Sequence, residues 1–433
     1  MKLFQKLLVA STAMSLITPL AAQASDTVNL EEMNNYSRGN SKVQRFDSKT
    51  FVNQVSEDLA ILKGRVDGLE AQQNEFEAGA FSDTTVMDGK AVFDLGALDY
   101  SEEDGSQESV QFAYSYKLNL NTSFTGDDNL YVRLLSGNHT NTSWMASTDD
   151  GGYLSSVGKN AALTVDKIWY SFPIGDNQTV WIGPKIENYY MHGTAPSIYK
   201  PVTKQFTLGG NGNAYGASTD TGAGWAYKAD NGFAFSTNIG TKSHTTQKDD
   251  AGDYVQSGLL TDQSKTSFAT QIGYTQPQYS VSAIVNLKYN EWADGYLHTA
   301  DADGPVDGDG NHTALGLRGW WRPQETGTAV PSVSLGYDAT QYSGVNTGAD
   351  SSDMWFVGLQ WQDIFNADDK IGFAMAQPTM LDDETIDPLA YELYYAYKVN
   401  DSITVTPAIF GGNDREGGTQ DVFGALLQTS FSF

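Results

Sequence analysis

From about residue 81 onward the chain alternates apolar and polar residues with a period of two. Val110 to Phe124 is the clearest run. Val110, Phe112, Tyr114, Tyr116, Leu118, Leu120 and Phe124 lie on one face, and Gln111, Ser115, Lys117, Asn119, Asn121 and Ser123 on the other. That period belongs to a β-strand, whose successive side chains point to opposite faces. It recurs in Val281 to Tyr289, with Ser282, Asn286 and Lys288 on the polar face, and in Leu389 to Val399. Strands of soluble sandwiches average about five or six residues. Runs of nine to fifteen with one apolar and one polar face suit a membrane barrel, apolar side to lipid and polar side to water.

Sixteen such segments can be placed, starting near Thr84, Ser109, Asn129, Ala161, Thr179, Gly222, Phe233, Thr266, Tyr279, Thr313, Pro331, Met354, Lys370, Leu389, Ser402 and Gln420. Their links alternate short and long. Gly126-Asp127-Asp128, Gly175-Asp176-Asn177, Asp230-Asn231-Gly232, Gln276-Pro277-Gln278, Glu325-Thr326-Gly327 and Asn400-Asp401 are short turns, as is the stretch Asn366 to Asp369. The longest loop is 189–221. This is the layout of a sixteen-stranded antiparallel transmembrane β-barrel spanning 81–433, with tight periplasmic turns and long external loops. Closure removes the sheet edges that a bilayer does not tolerate. The last segment ends on Phe433. An aromatic carboxy-terminal residue on a closing strand resembles the insertion signal of bacterial outer-membrane barrels; otherwise this is an ordinary last strand of a soluble β-domain.

Ahead of the barrel the period changes. Val52, Val55, Leu59, Leu62, Val66 and Leu69 recur at spacings of three and four, which predicts a helix over 51–78 with an a/d seam. So short a helix is marginal alone. One reading is a parallel coiled coil in the periplasm holding a homo-oligomer, here a trimer, although Leu at both a and d leaves the strand number open. The other is a single amphipathic helix on a domain surface. Residues 25–50 read as a polar linker. Residues 1–24 read as an export signal: Lys2 and Lys6 precede the apolar stretch Leu7 to Ala22, and Ala22-Gln23-Ala24 fits the small-x-small cleavage rule.

The run Met1-Lys2-Leu3-Phe4-Gln5-Lys6-Leu7-Leu8-Val9-Ala10, the helix run Leu59 to Glu70, the opening Phe81 through Gly89 to Phe93, and the end Phe431-Ser432-Phe433 together resemble cyanobacterial outer-membrane porins of the carbohydrate-selective porin family. The resemblance implies a trimeric porin passing small hydrophilic solutes such as sugars and inorganic ions. Such porins usually carry a surface-layer-homology domain between signal and coiled coil; residues 25–50 are too short for one, so a member lacking it is expected.

Composition narrows the field further. Asp+Glu is 53 against Lys+Arg 26, a net charge of -27, which excludes a nucleic-acid binder. With no Cys and with His139, His192, His244, His298 and His312 not spaced as ligands, no metal site, cofactor or enzyme active site is expected. The polar faces nonetheless carry mostly cations. Strand parity points Lys90, Lys117, Arg133, Lys167, Lys185, Lys228, Lys288, Arg318, Arg322, Lys370 and Lys398 inward, with Trp320, against Asp88, Asp94, Glu187, Asp338 and Glu392. A lumen of one sign shifts ion selectivity, unless these charges pair and cancel. Loop 189–221 is the candidate constriction loop, through Tyr189, Tyr190, His192, Tyr199, Lys200 and Lys204, whose aromatic rings suit sugar stacking. The alternative to a porin is a structural, anchoring or adhesive barrel in the outer membrane of a Gram-negative-type bacterium, without an open channel.

Overall fold

The computed structural model describes Thr84 to Phe433 apart from 102–108, 148–150, 159–160, 216–219, 243–257, 260, 262–263, 291, 293–309, 344–348 and 416–419; ahead of Thr84 only Lys63 is described. The expected signal peptide, linker and heptad seam (Val52, Val55, Leu59, Leu62, Val66, Leu69) lie outside the described residues.

Sixteen strands follow one another: β1 (Thr85–Tyr100), β2 (Gln111–Thr122), β3 (Asn129–Gly137), β4 (Thr164–Ile174), β5 (Gln178–Ile186), β6 (Asp220–Lys228), β7 (Phe233–Thr241), β8 (Thr266–Thr275), β9 (Tyr279–Tyr289), β10 (Asn311–Trp321), β11 (Ser332–Ser343), β12 (Ser351–Gln362), β13 (Lys370–Leu381), β14 (Leu389–Lys398), β15 (Ile403–Arg415) and β16 (Gln420–Ser432). Each pairs antiparallel with its sequence neighbours, and β1 pairs with β16 to close the ring. Every expected strand start falls within three residues of the observed one. Several short links are longer than expected: β2–β3 runs from Ser123 to Asp128 and β12–β13 from Asp363 to Asp369. The β10–β11 link is not a three-residue turn but runs from Arg322 to Pro331.

The register sorts the side chains. Phe93, Phe112, Ile272, Val285, Leu317 and Leu393 share the outer face and are exposed, the apolar band a lipid surroundings requires. The opposite face holds Ser115, Ser236, Gln271, Asn286, Arg318 and Glu392, all buried. Two short turns share one device. Asp128 accepts the N–H groups of Phe124 and Thr125 and the Tyr170 hydroxyl; Asp369 accepts those of Ile364, Phe365 and Asn366 and the Tyr395 hydroxyl. Desolvation pushes both carboxyls up, but these donors outweigh it and hold them below the usual range.

Candidate functional site

Two long loops fold into the barrel instead of standing outside it. The segment 187–215 bonds to one strand after another around the ring. The Gly193 N–H donates to Ser236 Oγ on β7 (3.0 Å) and the Thr194 N–H to Gln271 Oε1 on β8 (3.0 Å). Trp320 Nε1 on β10 donates to the Ala195 carbonyl (3.2 Å), and the Ile198 N–H reaches Ser334 Oγ on β11. Across the ring on β14, Glu392 accepts the Tyr199 hydroxyl (2.9 Å), the N–H groups of Val202 and Thr203, and the Thr203 hydroxyl (2.8 Å). A segment tied to opposite sides of a closed ring passes through its interior.

The return path is fixed by a buried ion pair. Arg318 on β10 pairs with Asp338 on β11, and its Nε donates to the Leu208 carbonyl (2.9 Å). Asp338 also accepts the Ala214 N–H (2.9 Å), and Lys288 Nζ donates to the Asn213 carbonyl (2.5 Å). Between these anchors Leu208, Gly209, Gly210 and Asn211 all take positive φ. That requirement explains the glycine-rich stretch, since glycine reaches this region without a Cβ clash. The strand it crosses is also bare: a Cβ on Gly336 would stand 1.9 Å from the Gly209 carbonyl oxygen.

The second inward loop, 138–158, is latched by Asp94 on β1, which is fully buried. Asp94 accepts from His139 Nε2 (2.9 Å), Ser156 Oγ (2.8 Å) and Gln428 Nε2 (2.8 Å), while the Gly158 N–H donates to His139 Nδ1. The two loops then join: Leu154 bridges Thr203, and the Ser155 N–H donates to the Val202 carbonyl (2.8 Å). Trp144, Met145, Leu154, Tyr199, Val202 and Phe206 pack with inward Phe356, Tyr394, Phe410 and Leu426 into an apolar cluster inside the barrel. The open part of the cross-section is narrowed accordingly.

On the β2–β5 side the wall is basic and aromatic. Lys167 pairs with Glu187, and Arg133 lies 3.8 Å from Asp166 and donates to the Tyr190 hydroxyl (3.2 Å). Burial raises the Glu187 carboxyl, but Lys167 and Lys204 overcome it and bring it down to about 2. The rings of Tyr131 and Trp169 stack 4.1 Å apart, and Tyr190 meets Trp169 and Tyr189 in tilted contacts of 4.6 and 4.5 Å. Their faces are therefore largely used in packing. Tyr189 lies with its hydroxyl well above the usual range, through burial and then Glu187.

Register puts Lys117, Arg133, Lys167, Lys228, Lys288, Arg318, Trp320, Asp338, Lys370, Glu392 and Lys398 on the inner face, and Arg322 just past the end of β10. Lys185 is a correction. Bulges on both sides of β5 pair it with Ile168, on the outer face, where it is exposed and its Nζ donates to the Val165 carbonyl. Glu187 sits in the loop just beyond β5, not on the strand. His192 is buried beside Asn238, which brings its pKa down to about 3 and keeps it neutral. Burial and Glu392 raise the Tyr199 hydroxyl. Lys200 and Lys204 are carried by the inward loop, and Lys398 pairs with Asp368 and Asp401. The residues that sequence reasoning missed are those of the 138–158 wedge; Trp144, Met145 and Leu154, large and apolar within a loop, are its signal.

A closed sixteen-strand ring with an apolar outside, a polar inside and a long loop folded across its interior defines an outer-membrane porin. The chain belongs to the carbohydrate-selective porin, OprB family, whose model matches residues 47–410. It is similar to uncharacterized proteins of Nostoc sp. (27% identical over 420 residues, 88% of this chain and 71% of that one) and Synechocystis sp. (24% over 412 residues, 87% and 74%). Among solved structures it shares the fold of Pseudomonas putida OprB, with a TM-score of 0.53 at 12% identity over 81% of this chain and 94% of that one. Salmonella typhi OmpF gives 0.52 at 10% identity, over 81% and 97%.

Proposed function

We propose that the chain is a selective diffusion porin, passing small carbohydrates and inorganic ions through the water-filled part of the barrel that its two inward loops leave open. The observation that carries this reading is the loop 187–215 tied across the interior beside a basic wall. The family's name supports carbohydrate among the solutes. The inner-face residues Lys117, Arg133, Lys228 and Lys370 line the path, and Tyr189, Tyr190, Lys200 and Lys204 border its narrow part. The long loops face the exterior, and the short turns and the helical run of 51–78 face the periplasm. That run joins three copies through Val52, Val55, Leu59, Leu62, Val66 and Leu69, and Phe433 marks the chain for insertion. No cofactor or catalytic residue enters this reading.

Purified protein in planar bilayers should give discrete conductance steps, and proteoliposomes should swell faster in small sugars than in large ones. A folded preparation that never conducts refutes the reading. It would favour instead a closed anchoring or adhesive barrel, for which the apolar cluster inside the ring is the supporting observation.

A further inference from the structure

The cavity between the inward loop and the short-turn end of the barrel has a volume of about 1000 Å³. Its lining brings together Lys200 of the loop, Arg322 past β10 and Lys370 at the start of β13, and contains no carboxylate. Among the described residues none of these three cations has a carboxylate within ion-pair distance, whereas Arg318, Lys167 and Lys398 do. Arg322 is oriented by its Nε bond to the Pro277 carbonyl (2.7 Å). Gln278, Gln324 and Gln362 also line the cavity, and their side-chain amides have no hydrogen-bond partner among the described residues.

Lys200 and Arg322 are exposed to the cavity and Lys370 is half-buried, so all three can reach a solute, and like charges gathered without counter-charge set up a field that the barrel wall focuses. Free amides beside them both donate and accept, which matches hydroxyl groups. The rest of the interior spends its acids elsewhere: Asp338 on Arg318, Glu187 on Lys167, Asp94 on His139, and Glu392 on the loop backbone. In a chain of net charge -27, this cavity is a local exception.

We infer that this cavity is a binding vestibule for small anionic polyols, molecules carrying hydroxyls and one carboxylate or phosphate group. Lys200, Arg322 and Lys370 take the anionic group, and the three glutamines take hydroxyls. The inference rests on the porin reading and names a solute class for it.

The test uses the full-length protein in planar bilayers, with gluconate, glucose 6-phosphate and glucose added from the short-turn side. Gluconate and glucose 6-phosphate should reduce the current at roughly tenfold lower concentration than glucose, a step of about 1.4 kcal/mol. The double variant Lys200→Gln/Lys370→Gln should conduct, keep its barrel by heat-modifiable gel mobility, and lose that difference. Block by gluconate alone or by the phosphate alone assigns the anionic group and supports the site. Steady conductance with equal block by all three solutes, or an unchanged difference in the double variant, overturns the vestibule while leaving the porin reading intact. Absence of any conductance overturns both.

Discussion

Removing the Asp338 carboxylate is the sharpest test of how the inward loop is held. Asp338 and Arg318 are 2% and 1% exposed at their side chains, so the pair is desolvated. Asp338→Ala leaves the guanidinium without its counter-ion and the Ala214 N–H without its acceptor. Breaking one half of a buried pair costs about 3–5 kcal/mol, because the remaining charge stays buried and uncompensated. The sixteen-strand ladder does not depend on that contact. The cost therefore falls on the loop, whose Leu208 and Ala214 are bonded to the pair at either end of the glycine-rich stretch. At about 1.4 kcal/mol per tenfold, the ratio of docked to released loop drops by roughly 10² to 4 × 10³. Asp338→Ala should conduct more, with noisier single channels, and amides 208–214 should exchange with solvent faster. The double variant Arg318→Met/Asp338→Leu removes the uncompensated charge but also the bonds to Leu208 and Ala214, so it should recover docking only in part, lying between Asp338→Ala and the wild type. Wild-type conductance and unchanged exchange in Asp338→Ala would refute the anchoring role.

Gly336→Val should displace the loop without disturbing the strand, because its side chain meets the Gly209 carbonyl; altered conductance with unchanged thermal unfolding is the expected result. The Glu187 carboxyl is depressed from 4.5 to about 2 in the folded chain, so its contribution is complete above pH 4.5 and fades as pH falls through 2. The step in conductance that belongs to Glu187 should therefore lie under strong acid, and Lys167→Met should move that step upward in pH; a step at the same pH in Lys167→Met would refute the pairing. Gly89→Leu should weaken the seam between β1 and β16, since a Cβ at Gly89 would lie 2.3 Å from the Phe433 ring and the two backbones exchange hydrogen bonds there; a lower melting temperature by gel mobility is the measurement.

Strand starts at Asn129, Phe233, Thr266, Tyr279, Lys370, Leu389 and Gln420 were legible to the residue. The two-residue period is enforced at every step by lipid on one side and water on the other. Lys185 went astray because parity does not survive a bulge: one extra residue sends everything beyond it to the opposite face. Charge was legible by position but not by partner. Arg318 and Lys167 are inward yet already neutralised by Asp338 and Glu187, and nothing local in the sequence links those residues. The inward packing of 138–158 depends on Asp94, His139, Ser156 and Gln428, which come from three distant stretches and meet only after closure. The aromatic run around Tyr189 suggested open faces for sugars, whereas Trp169 and Tyr131 cover them from neighbouring strands.

The seam pairs β1 with β16, so that Tyr100 lies opposite Val422 and Lys90 opposite Ser432. The first strand has no permanent neighbour on one side until the last has been synthesised, and contacts so remote in sequence form slowly. Until then one edge of the sheet stays unpaired, and the barrel has no closed form. A mean hydropathy of -0.39 suits that interval: outside the bulges, lipid-facing and water-facing residues alternate along each strand, so a strand still waiting for its partner offers no long apolar stretch. The alternation that builds the wall also keeps the unclosed sheet wettable, and a substitution that lengthened an apolar run would be felt during assembly before it was felt in the folded pore.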